Sequence, residues 1–219
     1  MFTSQVSQRG FSDWLKAIPW RRLSGLLCIL LVAFCFWLDR EQSQLSDKLL
    51  RLHVLANSDE AEDQSLKLRV RDRVLETVEP WLEEGTSAAS AGEILAHRLP
   101  ELTQAAQEEI QAAGYSYPVS LSLGQSWFPT RYYDGFSLPA GQYRSLRVII
   151  GEGAGKNWWC VVFPPLCTAS VTESLPQTAA QAGLTEQETF LILEDSENYV
   201  IKFKAVELWE NWKHAWEEN

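Results

Sequence analysis

The segment 151–157, GEGAGKN, has the residue types of a phosphate-binding loop, glycines followed by a lysine. A Walker loop needs four residues between its glycines and a serine or threonine after the lysine, whereas only three residues separate Gly151 from Gly155 and asparagine follows the lysine. The β-branched and aromatic run 158–163 comes next, so no helix N-terminus is expected where a phosphate would bind. We therefore predict a tight hairpin loop between strands 146–150 and 158–163.

His53, Ser58 and Asp59 are the residue types of a hydrolase triad. They are crowded into a strand-to-helix turn, with His53 directed back along its strand, and this crowding argues against triad geometry. We expect Asp59, with Glu62, to cap the following helix and His53 to be a surface residue of its strand. The sequence therefore predicts no catalytic residues.

Two of the four cysteines, Cys28 and Cys35, lie in an apolar segment, and the other two are Cys160 and Cys167. A zinc site at the second pair would need two more ligands, and the three histidines are not in paired spacing. If the chain reverses between Cys160 and Cys167, their side chains lie at a spacing that a disulfide can bridge. We predict a disulfide, with two free buried thiols as the alternative, and no metal or other cofactor.

Residues 23–38, LSGLLCILLVAFCFWL, contain no charged side chain. This length is short for a membrane span and also suits the apolar core of a signal peptide. Four basic side chains and one acidic side chain precede it, a flank that places the N-terminus in the cytoplasm. We predict a cytoplasmic N-terminus (1–22), a transmembrane signal anchor or cleaved signal peptide (23–38) and an exported domain (39–219).

The charge of the chain bears on whether its partner is a nucleic acid. The net charge is −10 although the first residues are basic, so the predicted exported domain is strongly acidic. Nucleic-acid affinity depends largely on clustered lysine and arginine, and this balance therefore argues against nucleic-acid binding. Export also favours the disulfide, because disulfides persist in oxidising compartments.

The exported part is predicted to be an α+β domain in which helices pack on an antiparallel sheet. Residues 49–56 alternate as a strand, and the helix that follows runs to about residue 82. The buried stripe of that helix is predicted to be Leu66, Val70, Val74 and Val78. Ser90 with Glu93 is expected to cap the second helix, which ends at Gly114. The remaining predicted strands are 117–123, 127–133, 146–150, 158–163 and 199–204, and the remaining helices are 184–190 and 205–216.

Three blocks of residues are similar to those of a known family. The first is RLHVLANSD (51–59), continued by EDQ (62–64), LKL (66–68) and VRD (70–72). The second comprises YR (143–144), LRV (146–148), GE (151–152), NWWC (157–160) and FPPLC (163–167). The third comprises FK, VE and WE within residues 203–210. Over residues 48–210 the chain resembles the stage II sporulation protein R family.

The resemblance implies a function and a location. Members of that family are signalling proteins of endospore-forming bacteria, exported from the forespore into the space between forespore and mother cell. There they are needed to activate a membrane-embedded aspartic protease of the mother-cell membrane, which removes the pro-sequence of sigma E. The resemblance thus implies a forespore membrane-anchored or secreted activator, not an enzyme, whose partner is the extracytoplasmic part of that protease. An exported envelope hydrolase or an envelope scaffold protein is the alternative.

The resemblance supplies no contact residues, so candidates are chosen by residue type and position. Polar side chains on the first strand, in the turn after it and on the following helix could form one patch, and a second set lies in the predicted hairpin, where arginine and tryptophan are types that often dominate interface energies. The candidates for partner binding are Arg51, His53, Asn57, Ser58, Asp59, Lys67, Arg71, Arg144, Arg147, Asn157, Trp158 and Trp159. Alternation along a strand places Trp158 and Trp159 on opposite faces. For each candidate the alternative is a structural role.

Overall fold

The computed structural model describes residues 20–82, 87–133, 136–166, 175–181, 183–192 and 207. The chain divides into two compact units, Met1–Arg40 and Glu41–Asn219. The described helices are α1 (Trp20–Ser46), α2 (Ala61–Val78), α3 (Ala88–His97), α4 (Leu99–Ala112), α5 (Leu175–Gln181) and α6 (Glu186–Ile192). The described strands are β1 (Leu50–Leu55), β2 (Val119–Phe128), β3 (Arg131–Tyr133), β4 (Phe136–Leu138), β5 (Gly141–Ile150) and β6 (Asn157–Phe163).

The first unit contains most of α1. Large apolar side chains on this part of the helix are exposed, namely those of Leu26, Leu27, Ile29, Leu30 and Phe34. Within the part of the chain that the structure describes, no helix is both long enough and apolar enough to cross a membrane. The assignment of residues 23–38 as a signal anchor or signal peptide therefore stays a prediction.

The second unit is built on a four-stranded sheet with the order β2-β5-β1-β6. The α+β class is confirmed, but the prediction of an antiparallel sheet is wrong, because β1 pairs parallel with β5. The other two pairs, β1 with β6 and β2 with β5, are antiparallel, so the sheet is mixed. Parallel pairing needs a long connection between the strands, and α2, α3 and α4 all lie between β1 and β5 in the chain.

The predicted hairpin of strands 146–150 and 158–163 is also wrong, because β1 lies between β5 and β6. Leu52 of β1 pairs with Leu146 on one side and with Cys160 on the other. The loop 151–156 therefore crosses the end of β1. Strand β1 is hydrogen-bonded on both sides, and five of its six residues are buried, among them Arg51 and His53 on its predicted polar face.

Helices α2, α3 and α4 contribute to a hydrophobic core on the first face of the sheet. The predicted stripe of α2 is confirmed, since Leu66, Val70, Val74 and Val78 are all at most 2 % exposed. They join Leu52, Val54, Leu146 and Val148 from the sheet in one cluster. Full burial of such side chains contributes about 1.5–3 kcal/mol each to folding.

A second core covers part of the opposite face. It joins the end of α1 to the sheet and to the two-stranded β3–β4 ribbon. Its buried members are Leu45, Leu49, Phe128, Phe136, Leu138, Tyr143, Val161, Leu166, Ala179, Leu184 and Ile192. The sheet is thus covered on two faces, and side chains that alternation assigned to solvent are enclosed by this second layer.

Both predicted helix caps are wrong. The residue before α2 is Glu60, which makes no capping hydrogen bond through its side chain, and Asp59 is bonded elsewhere. Helix α3 begins earlier than predicted, because Ser87 accepts a hydrogen bond from the Ser90 amide at 3.2 Å. Gly114 has a φ of 85°, as expected for the residue that ends α4.

Two other predicted elements have different bounds. Strand β2 runs without a break from Val119 to Phe128, so the predicted division after residue 123 is wrong. The predicted helix 184–190 corresponds to α6, Glu186–Ile192. The predicted strand 199–204 and all but one residue of the predicted helix 205–216 lie outside the described residues.

Candidate functional site

The turn after β1 carries Asn57, Ser58 and Asp59, and its polar atoms converge on a buried carboxylate. Asp63, on the first turn of α2, is 3 % exposed. It accepts hydrogen bonds from Asn57 Nδ2 at 2.8 Å and from Ser58 Oγ at 2.6 Å. Burial opposes its ionisation, but hydrogen bonds from Ser58, Asn57 and Tyr117 outweigh burial and lower the pKa of the carboxyl group. Asp63 therefore organises the turn as an anion.

The same turn binds the loop 151–156. Asn57 Oδ1 accepts a hydrogen bond from the Glu152 amide at 3.1 Å, and Asp59 Oδ1 accepts one from the Lys156 amide at 2.6 Å. Backbone bonds add to this contact, from the Ala154 amide to the Asn57 carbonyl at 3.1 Å and from the Gly155 amide to the Ala56 carbonyl at 3.0 Å. We call residues 56–59 and 151–156 together the loop–turn junction.

The glycines of the loop are explained by this close approach. A Cβ atom on Gly155 would overlap the carbonyl oxygen of Ser58, and Gly151 has a φ of 57°, a conformation that glycine adopts most readily. The glycine-rich segment thus packs on a neighbouring turn, in agreement with the prediction that it is not a phosphate loop.

Lys67 is a buried part of the same junction. It is 4 % exposed, and its Nζ donates to Gln64 Oε1 at 2.6 Å and to the Lys156 carbonyl at 3.0 Å. Burial lowers the pKa of the ammonium group, the charge of Asp59 opposes this shift, and Arg71 and Lys156 add to it. Of the predicted patch, which also included Arg51, His53 and Arg71, the structure brings Asn57, Ser58, Asp59 and Lys67 together, and their polar atoms hold the loop in place.

Arg51 is fully buried on the second face of the sheet, 0 % exposed, which contradicts its predicted position on an open polar face. Its Nη2 donates to the Tyr133 hydroxyl at 2.7 Å. The guanidinium carbon lies 4.1 Å from the Phe128 ring centroid and 4.8 Å from that of Tyr143. Aromatic faces thus provide much of the immediate environment of this charge.

His53 is also buried, at 8 % exposure, so the prediction of a surface histidine is wrong. Its ring stacks on Trp159 with centroids 4.0 Å apart. Burial lowers its pKa, the nearby Asn157 side chain opposes the shift, and the charges of Arg147 and Arg51 lower the pKa further. Among the described residues, neither ring nitrogen has a hydrogen-bond partner of suitable geometry. His53 is therefore held in its neutral form.

The β3–β4 ribbon adds a second arginine to this region. Arg131 lies with its guanidinium carbon 5.5 Å from the Trp159 ring centroid. Burial raises the pKa of the Tyr133 hydroxyl, and the charges of Arg51 and Arg131 oppose that shift. We call Arg51, His53, Phe128, Arg131, Tyr133 and Trp159 the basic–aromatic cluster. The ion pairs among described residues are Lys48–Glu188, Arg69–Glu109 and Arg71–Asp72, and they leave both arginines of the cluster without a carboxylate.

Trp158 and Trp159 face opposite sides of the sheet, as alternation predicts. Trp159 packs in the second core, whereas Trp158 is 37 % exposed. The guanidinium carbon of Arg71 lies 4.4 Å from the Trp158 ring centroid, and Arg71 also pairs with Asp72 at 2.6 Å. A groove lined by Leu75, Leu82, Val162 and other residues begins at Arg71. This pair is therefore the most accessible aromatic contact among the predicted candidates.

The remaining candidates differ in accessibility. Arg144 is half-buried against α3, where its guanidinium lies over Gly92 and its Nη1 donates to the Ala89 carbonyl at 3.5 Å. Arg147 is exposed and lies between Ser122 of β2 and His53 of β1 on the second face. Asn157 is exposed at the start of β6. Arg147 and Asn157 are thus available to a partner.

The sequence interpretation missed Arg131, Tyr133 and Phe128. All three belong to the aromatic run 127–133, but nothing local in that run indicates that it folds back over β1. It also missed Asp63 as the centre of the turn, although Asp63 lies within the ANSDEAED segment that carries the other polar residues.

The structure brings together no catalytic triad from His53, Ser58 and Asp59. Ser58 donates to Asp63, Asp59 accepts from the loop, and His53 stacks on Trp159 across the sheet. Within the described ranges, no group of three or more His, Cys, Asp or Glu side chains could hold a metal ion.

Cys160 is buried and disulfide-bonded. Its predicted partner, Cys167, lies outside the described residues, so the pairing stays a prediction.

Comparison with known proteins identifies the family. A family model described as Stage II sporulation protein R matches residues 46–173, more than half of the chain. The chain is similar to the Stage II sporulation protein R of Bacillus subtilis (strain 168), with 38 % identity over 123 residues, or 56 % of this chain and 55 % of that relative. The match thus spans about half the length of the curated relative, and neither name specifies an enzyme. No solved structure matches the chain. The chain belongs to the stage II sporulation protein R family.

Proposed function

We propose that this sporulation protein is an exported signal that activates a membrane-embedded aspartic protease in the opposing mother-cell membrane and so triggers processing of the sigma-E precursor. The observation that carries the proposal is the family match over residues 46–173, which covers every strand of the sheet. A role in sporulation follows from family membership. The activation step is inferred from what the resemblance implies.

The arrangement of the site supports recognition more than chemistry. The polar side chains of the loop–turn junction are bonded to one another and to backbone atoms, so they stabilise a surface and offer no nucleophile paired with a base. The exposed side chains Arg147, Asn157 and Trp158, with the half-buried Arg71 beside Trp158, are of types that contribute to protein interfaces. Trp158 with Arg71 presents a large, rigid contact beside a groove.

Activation requires that the signal bind the active state of its receptor more tightly than the inactive state. A rigid display of side chains lowers the entropy cost of such binding. The loop–turn junction provides that rigidity for Trp158, because it anchors the loop that enters β6 directly before this residue. The junction thus contributes to signalling by fixing the position of Trp158.

Export is part of the proposal. The apolar segment 23–38 follows a basic flank, and its exposed leucine, isoleucine and phenylalanine side chains are suited to a membrane or a translocation channel. The disulfide bond at Cys160 is suited to an oxidising space outside the cytoplasm. Both features support a location between forespore and mother cell, either membrane-anchored or secreted.

The test is co-expression of the full chain with the receptor protease and its sigma-factor precursor in a non-sporulating host. Processing is expected only when all three are present. The variant Trp158→Ala should reduce processing while leaving the protein folded. Arg73→Ala, at an exposed position of α2, should leave both processing and folding unchanged. Precursor cleavage that proceeds equally without the chain would show that the proposed function is wrong.

A further inference from the structure

Among the residues that the structure describes, no carboxylate forms an ion pair with the two arginines of the basic–aromatic cluster. Arg51 is 0 % exposed, yet its Nε and Nη1 have no hydrogen-bond partner among the described residues, and within the same part of the chain Arg131 Nε is likewise buried without one. A guanidinium group carries five N–H donors, and the described structure gives that of Arg51 a single acceptor, the Tyr133 hydroxyl. Buried charges in proteins are normally paired with an opposite charge.

Lys67, in the loop–turn junction, is a buried charge of the same domain whose hydrogen-bonding needs are met. Lys67 is buried to a similar degree, but its ammonium group has two acceptors and the charge of Asp59 nearby. Arg51 has one acceptor among the described residues and forms no ion pair with a carboxylate there. Folding alone therefore does not account for an arginine at this position, since an apolar residue would avoid the desolvation cost.

The cluster is continuous with an open part of the second face. Arg147 is exposed and is paired with His53 across the parallel β1–β5 ladder. Beside it Ser120 and Ser122 of β2 are exposed, so this end of the sheet is accessible. Positive charge thus extends from Arg147 at the surface, past His53, to Arg51 beneath the β3–β4 ribbon.

We propose that this region is a binding site for an acidic side chain of the protein partner, with Arg147 as the first contact and His53 and Arg51 as the inner contacts. The cluster offers N–H donors and aromatic walls, which suit a carboxylate and exclude a metal cation. A carboxylate would balance one of the two positive charges of Arg51 and Arg131, neither of which forms an ion pair among the described residues. The identity of the partner as the receptor protease rests on the proposed function.

Access to Arg51 requires the β3–β4 ribbon to shift, because Tyr133 of β3 is hydrogen-bonded to it. Phe128, at the end of β2, also lies against Arg51 and His53 and forms a wall of the site. The ribbon has only three residues in each strand, and it accepts a hydrogen bond from Arg51 through the Tyr133 hydroxyl. A carboxylate that accepts from Arg51 replaces this bond with a charge-assisted one. Binding also favours protonation of His53, because a nearby negative charge opposes the lowering of its pKa by burial and by the charges of Arg147 and Arg51.

The processing assay tests the site through Arg147. Arg147→Glu should lower precursor processing roughly tenfold or more, since like charges would then meet at the first contact. Arg73→Glu, an exposed charge reversal on α2, should leave processing unchanged. Lysine replacement of one acidic residue in the receptor's extracytoplasmic part should restore processing with Arg147→Glu. If Arg147→Glu and a folded Arg51→Gln, tested as separate variants, each support processing at the wild-type level, the proposed binding site is wrong while the proposed function stands.

A second measurement does not depend on signalling. The full chain, labelled at its histidines, is titrated by NMR with and without millimolar hexaglutamate peptide, and hexaglutamine serves as the control. The His53 signal is assigned with His53→Gln. The His53 pKa should rise with hexaglutamate only, and Arg147→Glu should abolish the rise. An unchanged His53 pKa would overturn the inference even if the chain activates processing.

Discussion

Replacing Gly155 with alanine is expected to detach the loop 151–156 from the turn after β1. A Cβ atom at this position would overlap the Ser58 carbonyl oxygen and lie 2.5 Å from the Ser58 carbonyl carbon and 3.0 Å from the Ala56 Cβ. The nearest of these atoms belong to the backbone, so no side-chain rotation relieves the contact. The loop must therefore move away from the turn.

The free-energy cost follows from the contacts that this movement breaks. Steric overpacking of a well-packed site costs about 1–3 kcal/mol. The Gly155 amide loses its bond to the Ala56 carbonyl, and the Lys156 amide loses its bond to Asp59. At about 1 kcal/mol for each lost hydrogen bond, with partial relaxation of the loop, we expect a loss of about 2–4 kcal/mol in the free energy of unfolding.

Urea unfolding of the full chain, followed by tryptophan fluorescence, measures this loss. Gly124→Ala is the matched control, because no atom lies within 4 Å of a Cβ built at Gly124. Its effect should be within about 0.5 kcal/mol of wild type. If Gly155→Ala and Gly124→Ala unfold at the same urea concentration, the close approach of loop and turn does not determine stability and the reasoning is refuted.

Three further predictions concern pH and the tryptophan pair. The lowered pKa of His53 means that protonation of its ring opposes folding, so the free energy of unfolding should fall as the pH drops below 6.5. In urea titrations His53→Gln should remove this pH dependence, and a pH profile identical to that of the wild type would contradict the prediction. The lowered pKa of Asp63 contributes stability above about pH 3.8 that is lost on further acidification, and Asp63→Asn should flatten the acid limb of the same profile. Trp159→Ala should cost up to about 3 kcal/mol, because Trp159 is half-buried against the second core, whereas the exposed Trp158→Ala should cost less; equal urea midpoints would refute this contrast.

Local patterns were sufficient for much of the fold. The apolar stripe of α2 depends only on a spacing of four residues, and all of its predicted members are buried. The alternation in 49–56 and the β-branched run 158–163 identified strands close to β1 and β6. Alternation also predicted that Trp158 and Trp159 lie on opposite faces. These features could be read directly because each is determined by neighbouring residues.

Strand partners could not be read in this way. The pattern around the glycine loop is the same whether its flanking strands pair with each other or with a third strand between them. Insertion of β1 between β5 and β6 depends on contacts about a hundred residues apart in the chain. The capping predictions failed for a related reason, because Asp59 bonds to the Lys156 amide and not to its own helix.

The sequence by itself determined the α+β class, the helix stripe, the family and the residue types of the candidate surface. Only the tertiary structure decided which of those residues a partner can reach. Arg51 and His53 lie on the polar positions of an alternating strand, and a second layer that includes Phe128, Tyr133 and Trp159 encloses them. Burial is a property of everything packed against a residue, so alternation along one strand predicts which face a side chain lies on but not whether that face is covered.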